Sequence, residues 1–294
     1  MVLEWANDAF RLYWTGVQDA LNVYWPAYYA IKSEKIRKAS SRCIVLNGVL
    51  FIGSIVLLHS GLLPLLHKAG GLVLGARGDV ASAAHTVVEA AVGALYQAFW
   101  ITPLYLISLL MNTIWYSRIA DAAFELHHGV KVAVGVDVTI KEGMYRALVL
   151  VFYVLESVVA YQALPVVGPL VSTVLVCWMN ALYSFESVWT MQGLDLQKRL
   201  LLIERHWPYF MGFGTPVALV SSFWSTFIGL GVFAVCFPAC LIQATCSTFG
   251  RPDTVDEEVT GLPAPRLPIF RLSTRCSDAV LRGVNDVVSA KKRR

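Results

Sequence analysis

The feature that most constrains this chain is a run of 24 residues without a formal charge, Cys43–Leu66. A helix needs about 20 apolar residues to cross the hydrocarbon core of a bilayer, so this run predicts a membrane span. Val87–Tyr116 predicts a second span, and neighbouring helices can satisfy the carbonyl group freed by Pro103. Only 15% of the 294 residues are charged, against about a quarter in soluble domains. The sequence therefore predicts an all-α, polytopic membrane protein with two long transmembrane helices.

Two further apolar regions predict helical hairpins. Residues 147–185 are interrupted by the sequence PVVGP at Pro165–Pro169, and residues 209–247 carry no charge and have Gly229 and Gly231 near their middle. Each region is either a pair of spans or a re-entrant hairpin that turns inside the membrane. Periodicity does not separate the two, because helices that are buried all round lose their amphipathic pattern.

The basic residues indicate the orientation. Of the 24 Lys and Arg residues, only Lys68 and Arg77 lie between the first two predicted spans. Lys and Arg accumulate on the cytosolic side of membrane proteins. A hairpin and a pair of spans both return the chain to the side it came from, so both termini are predicted to be cytosolic.

Three regions follow from this pattern. Residues 1–42 form an N-terminal arm, 43–248 the helical membrane domain, and 249–294 a cytosolic tail. Aromatic residues at helical spacing in 3–31, and an amphipathic pattern over 270–288, predict helices lying in the lipid interface. The bilayer is thus the main predicted partner, and the basic clusters suit anionic lipid rather than nucleic acid.

Two polar residues within the membrane domain are candidates for transport. Glu156 is the one ionisable residue well inside an apolar segment, where a carboxylate is costly and is often functional. It could instead lie near a hairpin turn, or pair with a basic residue of the bundle. Asn112 lies near a segment end, where such residues more often bond one helix to another. No P-loop, GxSxG, HExxH or dinucleotide-binding motif occurs, so no enzyme activity, no metal site and no cofactor are expected.

Two sequence blocks resemble a known family. These are SFESVWTMQGLDLQKRLLLIERHWPYFMGFGTP at residues 184–216 and AFWITPLYLISLLMNTIWYSRIADAAFE at residues 98–125. Both are similar to signature regions of the etoposide-induced protein 2.4 family of endoplasmic-reticulum membrane proteins. The motif residues we single out for structure in the first block are Glu186, Glu204, Arg205, Trp207, Pro208, Gly212, Gly214 and Pro216.

The resemblance implies a function. It implies a role in autophagy, in the maturation of autophagic membranes, with links to growth suppression and cell death, and importin-beta as a partner. The family is distantly similar to CysZ-type sulfate permeases, which combine two long spanning helices with two shallow hairpins. The alternative function is therefore a permease or channel for sulfate or a similar anion.

The motif has a structural and a functional interpretation. Glu204 and Arg205 are adjacent and point about 100° apart on a helix, so they are expected to reach different partners or to snorkel to the interface. Trp207 and Tyr209 suit headgroup depth, and Pro208 is expected to end an interfacial helix. Gly212 and Gly214 let the next helix start steeply or pack closely, although a glycine-rich helix start can also bind an anion.

The chain ends in KKRR. Lys291 and Lys292 resemble the dilysine signal that coat proteins recognise when they return membrane proteins to the endoplasmic reticulum. That signal acts from the cytosolic side, where the charge distribution places the tail. A polybasic end that contacts lipid is the alternative.

Overall fold

The computed structural model describes residues 2–65, 68, 79–131, 136–224, 226–251 and 265–292. Within these residues every regular element is helical. The N-terminal arm begins with α1, Val2–Ala20, and α2, Tyr24–Lys32. The predicted interfacial helix of residues 3–31 is therefore two helices.

Two long helices follow. The helix α3 runs over Glu34–Leu65 and includes π-helical turns at Ile44–Ile52 and Leu58–Leu62. The helix α4 covers residues 79–128 in three segments, Asp79–Tyr96, the π-helical turn Gln97–Ile101, and Thr102–His128. Both helices extend beyond the apolar runs of the sequence.

The two hairpins are unequal. The first consists of α5, Val136–Ala163, and α6, Gly168–Met191. A short amphipathic helix α7, Leu196–Arg205, then leads into the second hairpin, made of α8, Trp207–Ser222, and α9, Thr226–Cys246. The tail ends in α10, Arg271–Lys292.

The predicted fold class is confirmed. Five helices in the described residues are long and apolar enough to cross a membrane; they lie in α3, α4, α5, α6 and α9. Both arms of the first hairpin exceed the roughly 20 residues that a span requires, whereas α8 has 16 residues and falls short.

The turn of the second hairpin precedes the two glycines that suggested it. The helix α8 ends at Ser222, and Gly229 and Gly231 lie inside α9. A Cβ atom at Gly229 would lie 2.5 Å from the carbonyl oxygen of Ser221, and one at Gly231 would lie 2.6 Å from the Ile52 side chain. These glycines permit close packing, which is the common role of glycine in membrane helices.

The chain forms two compact units. The first comprises Met1–Tyr28, Ala120–Leu219 and Ala239–Arg294. Its core is a cluster of aromatic rings in which the Phe185 ring lies 5.2 Å from Phe210 and 4.8 Å from Phe213. The indole of Trp189 donates a hydrogen bond of 3.0 Å to the carbonyl of Phe249. Aromatic residues of the sequence block 184–216 therefore form the centre of this unit.

The second unit comprises Tyr29–Ile119 and Val220–Pro238. Phe51, Ile55 and Ile101 form its buried apolar cluster. The hydroxyl of Tyr96 donates to the carbonyl of Ser54 at 2.9 Å, which joins α4 to α3.

Candidate functional site

The site is built on the close approach of two helices, α1 and α6, to the start of α8. A Cβ atom at Gly212 would lie 2.0 Å from the carbonyl oxygen of Tyr13 in α1, and one at Gly214 would lie 1.8 Å from that of Cys177 in α6. A Cβ atom at Gly16 of α1 would in turn lie 2.0 Å from the carbonyl oxygen of Tyr209 in α8. Residues two apart on a helix face nearly opposite directions, so the two motif glycines hold two different neighbours.

Tyr209 differs from its prediction as a headgroup residue. Its ring is buried, and its hydroxyl donates to Asp19 Oδ2 of α1 at 2.6 Å. Trp207 is half-buried, and its carbonyl accepts the indole N–H of Trp178 at 2.9 Å. The N-terminal helix is thus bonded directly to the motif, and Tyr209 belongs to the core.

The break between α7 and α8 lies at His206. The helix α7 ends at Arg205, and Pro208 occupies the first turn of α8, where a missing amide N–H costs no hydrogen bond. Pro208 therefore follows the end of α7, as predicted, and also lies in the first turn of the next helix. His206 is buried against the Phe249 ring at 4.8 Å, and burial, with a smaller effect of the Arg205 charge, lowers its pKa from 6.5 to about 4.

Glu186 joins the first hairpin to α7. Its Oε1 atom accepts from Arg146 Nη1 at 2.6 Å and from Arg199 Nη1 at 2.9 Å. The Arg199 side chain is only 3% exposed, and its guanidinium also donates to the carbonyl of Leu194. A buried charge is tolerated when it is paired and hydrogen-bonded in this way.

Glu204 anchors the tail. Its Oε2 atom accepts from Arg266 Nε at 2.8 Å and Nη2 at 2.6 Å, and its Oε1 atom accepts from the backbone N–H of Phe270 at 3.0 Å. Its own carbonyl accepts from the N–H of Leu267 at 3.0 Å. Arg205, by contrast, is exposed, so the two adjacent charges do point to different surroundings.

Glu156 contacts the tail helix as well. Its Oε1 atom accepts from Ser273 Oγ, in the first turn of α10, at 2.7 Å. Carboxylates are favourable at a helix N-terminus, where the macrodipole is positive. The Tyr153 ring packs on Phe270 at 5.1 Å, and Tyr145 donates to Asp278 Oδ1 at 2.9 Å. The residue predicted for transport thus bonds α5 to α10.

Asn112 lies in the second unit, in a buried polar cluster between α3 and α4. It exchanges hydrogen bonds with Asn47, Nδ2 to Oδ1 in each direction, at 2.9 and 3.1 Å. Ser108 accepts a third bond from Asn112 at 3.1 Å and donates to Asn47. Such bonds join helices in a membrane, where an unsatisfied amide would be costly.

The remaining predicted residues are placed as follows. Pro216 lies inside α8, where it provides no amide hydrogen bond. Lys291 and Lys292 belong to α10, but their side chains lie outside the described residues. Over the ranges that the structure describes, no group of three His, Cys, Asp or Glu residues is arranged to hold a metal ion.

Comparison with known proteins gives the family. The family model described as sulfate transporter CysZ/etoposide-induced protein 2.4 matches residues 24–223. The chain belongs to this family. The predicted family resemblance is therefore confirmed. The matched residues include both arms of the first hairpin and the whole motif of residues 184–216.

Three relatives extend the match. A protein named Protein EI24 homolog from Arabidopsis thaliana is 27% identical over 92% of this chain and 94% of its own length. The Protein EI24 homolog from Dictyostelium discoideum is 25% identical over 94% of this chain and 85% of its own. Ectopic P granules protein 4 from Caenorhabditis elegans is 26% identical over 64% of this chain and 58% of its own. No solved structure is significantly similar to the chain.

Sequence reasoning missed the partners of the three glutamates. Arg266 stands in a proline-bearing segment that reads as a linker, and Ser273 and Ser277 are small polar residues on an amphipathic helix. The one available signal is that Arg146 and Arg199 each stand directly before an apolar run, where a buried charge needs a partner.

Proposed function

We propose that this member of the family is a multi-pass protein of the endoplasmic-reticulum membrane that acts, without catalysing a reaction, in the maturation of autophagic membranes. The observation that supports a scaffold role is that polar side chains of the membrane domain are hydrogen-bonded to other residues of the protein. Glu156 is bonded to Ser273, and Asn112 to Asn47 and Ser108. Groups committed to packing favour a framework over a transport path.

The name of one of the three relatives supports the autophagy part of the proposal. One of them is named for ectopic P granules, and the persistence of cytoplasmic granules is what defective autophagy would produce. Retention in the endoplasmic reticulum is proposed from Lys291 and Lys292, which coat proteins would bind. Importin-beta is a further proposed partner of the cytosolic surface, on family resemblance.

Depletion tests this function. Cells of the source organism lacking the protein are expected to accumulate autophagic cargo and to recover turnover when the wild-type chain is restored. A Glu204→Gln chain, which weakens tail attachment, is expected to restore less turnover at equal protein level. Unchanged cargo turnover after depletion would remove the autophagy proposal.

An anion permease is the second candidate, because the family model carries the description of a sulfate transporter. Purified protein in sealed liposomes would be tested for uptake of radiolabelled sulfate, beside Glu156→Gln and Glu125→Gln. Uptake lost only in the Glu156 variant would favour transport. Uptake equal to that of empty liposomes would favour the scaffold.

A further inference from the structure

An open cavity of about 590 Å³ lies between α5, α7 and the tail of the first unit. Its volume is within the range of small-molecule sites. Leu200, Leu201, Pro268 and Phe270 supply an apolar wall, and polar side chains of α5, α7, α10 and the segment before α10 supply the rest. The cavity is built from the motif helix α7 together with a tail that lies beyond the part of the chain matched by the family model.

Internal pairing accounts for half of the charges in the cavity. The carboxylate of Glu204 is neutralised by Arg266, with two guanidinium bonds. Asp278 accepts only the neutral hydroxyl of Tyr145, and Arg271 makes no ion pair within the described residues. Within the part of the chain that the structure describes, one positive and one negative group that line the cavity are therefore uncompensated by an ion pair.

The two uncompensated groups share one side of α10. Arg271 and Asp278 are seven residues apart, which is two helical turns and about 10 Å along the axis. The arginine side chain is long enough to bring its guanidinium towards the carboxylate. A cation and an anion side by side over an apolar wall match a ligand that carries both charges on an apolar body.

The rest of α10 indicates where such a ligand would come from. Ser273 and Ser277 are buried towards α5, whereas Leu272 and Val280 are 58% and 40% exposed. Arg275 and Arg282 are exposed along the edge between this apolar row and the cavity. An exposed apolar row flanked by arginines is typical of a helix at a lipid surface.

We propose that the cavity binds the headgroup of a zwitterionic glycerophospholipid. Arg271 donates to the phosphate, and the Asp278 carboxylate contacts the ammonium group. The glycerol backbone lies against Leu201 and Pro268. The site would fasten the tail helix to one lipid molecule, in addition to its bonds with Glu156 and Glu204.

Lipid binding to the purified full-length chain tests the proposal. Delipidated protein in detergent would be mixed with equal amounts of phosphatidylcholine, phosphatidylethanolamine and phosphatidylserine, and the retained lipid measured by mass spectrometry. The wild-type chain and the control Arg275→Gln are expected to retain about one zwitterionic lipid per chain. Arg271→Gln, an exposed change, is expected to weaken retention at least tenfold, since it removes a charge-assisted bond.

A second variant tests the charge pattern. Asp278→Asn keeps an oxygen that accepts from Tyr145 but removes the negative charge. The lipid preference of this variant is therefore expected to move to phosphatidylserine, whose headgroup carries an additional negative charge. Competition separates the sources of the headgroup: glycerophosphocholine or glycerophosphoethanolamine should displace the lipid, and inorganic phosphate at the same concentration should not. Displacement by phosphate, retention in Arg271→Gln equal to wild type, or no preference among the three lipids would each overturn the proposal.

Discussion

At the scale of single residues, the motif glycines are explained by backbone contact. Gly212 and Gly214 each meet the carbonyl oxygen of a neighbouring helix at a distance that no Cβ atom could share. The sequence suggested either close packing or an anion at the helix start. Backbone atoms of Tyr13 and Cys177 fill the space that the side chain of any residue larger than glycine would need.

Gly214→Ala should destabilise the protein strongly. Its Cβ atom would overlap the Cys177 backbone, and overpacking of this kind costs about 1–3 kcal/mol. Thermal unfolding in detergent would show a lower midpoint. Gly143→Ala in α5 is the matched control, because nothing lies within 4 Å of its Cβ position. Equal midpoints for the two variants would refute the packing role of Gly214.

His206 should make stability depend on pH. Burial lowers its folded-state pKa to about 4, below the ordinary 6.5, so the unfolded chain binds a proton first as the pH falls. The contribution of His206 to the free energy of unfolding is about 3 kcal/mol in all. It is complete above about pH 6.5 and is lost as the pH falls from about 6.5 to about 4. The unfolding midpoint of His206→Gln should fall less steeply with acid than that of wild type. Parallel curves would contradict the prediction.

At the scale of elements, the tail helix depends on carboxylates outside itself. Glu204 binds the N–H of Phe270 and the Arg266 guanidinium, and Glu156 binds Ser273. The serine side of α10 faces the protein, which leaves the apolar side free. An amphipathic pattern identifies such a helix, but it does not say which side meets the protein.

Glu204→Gln should loosen the start of α10. A hydrogen bond to a charged group contributes about 1.5–3 kcal/mol, so amide exchange over residues 270–274 should accelerate by about tenfold or more. Hydrogen exchange with mass spectrometry measures this directly. Glu125→Gln breaks an exposed ion pair with Lys131 and should leave amide exchange over residues 270–274 unchanged. If both variants exchanged alike, the tail would not depend on Glu204.

The sequence predicted elements better than it predicted contacts. The long apolar runs and the proline break at 165–169 located α3 to α6, because length and helix breakers are local properties. The prediction that the second hairpin turns at Gly229 and Gly231 was wrong, because both residues lie inside α9. Glycine in a membrane helix also serves close packing. The bond between Glu204 and Arg266 joins residues 62 positions apart, and no local pattern specifies such a pair.

At the scale of the whole molecule, helix length and charge constrain one another. By length, α9 crosses a membrane and α8 does not, which would put the tail on the opposite side from α7. By charge, the nine basic residues after residue 248 belong on the same side as those of the N-terminal arm. The charge distribution is satisfied only when α9 enters the membrane without crossing it, so that α8 and α9 form a re-entrant hairpin that enters and leaves through one face.

Protease protection in sealed endoplasmic-reticulum vesicles tests this arrangement. Epitope tags at the two termini should be digested from outside, and a tag between α3 and α4 should survive until detergent is added. The physical reason is that only Lys68 and Arg77 stand between those helices, so the positive-inside rule predicts that this connection faces the lumen. A protected C-terminal tag beside a digested N-terminal tag would show that α9 crosses alone. The tail cavity and the dilysine would then face the lumen, where coat proteins cannot reach them.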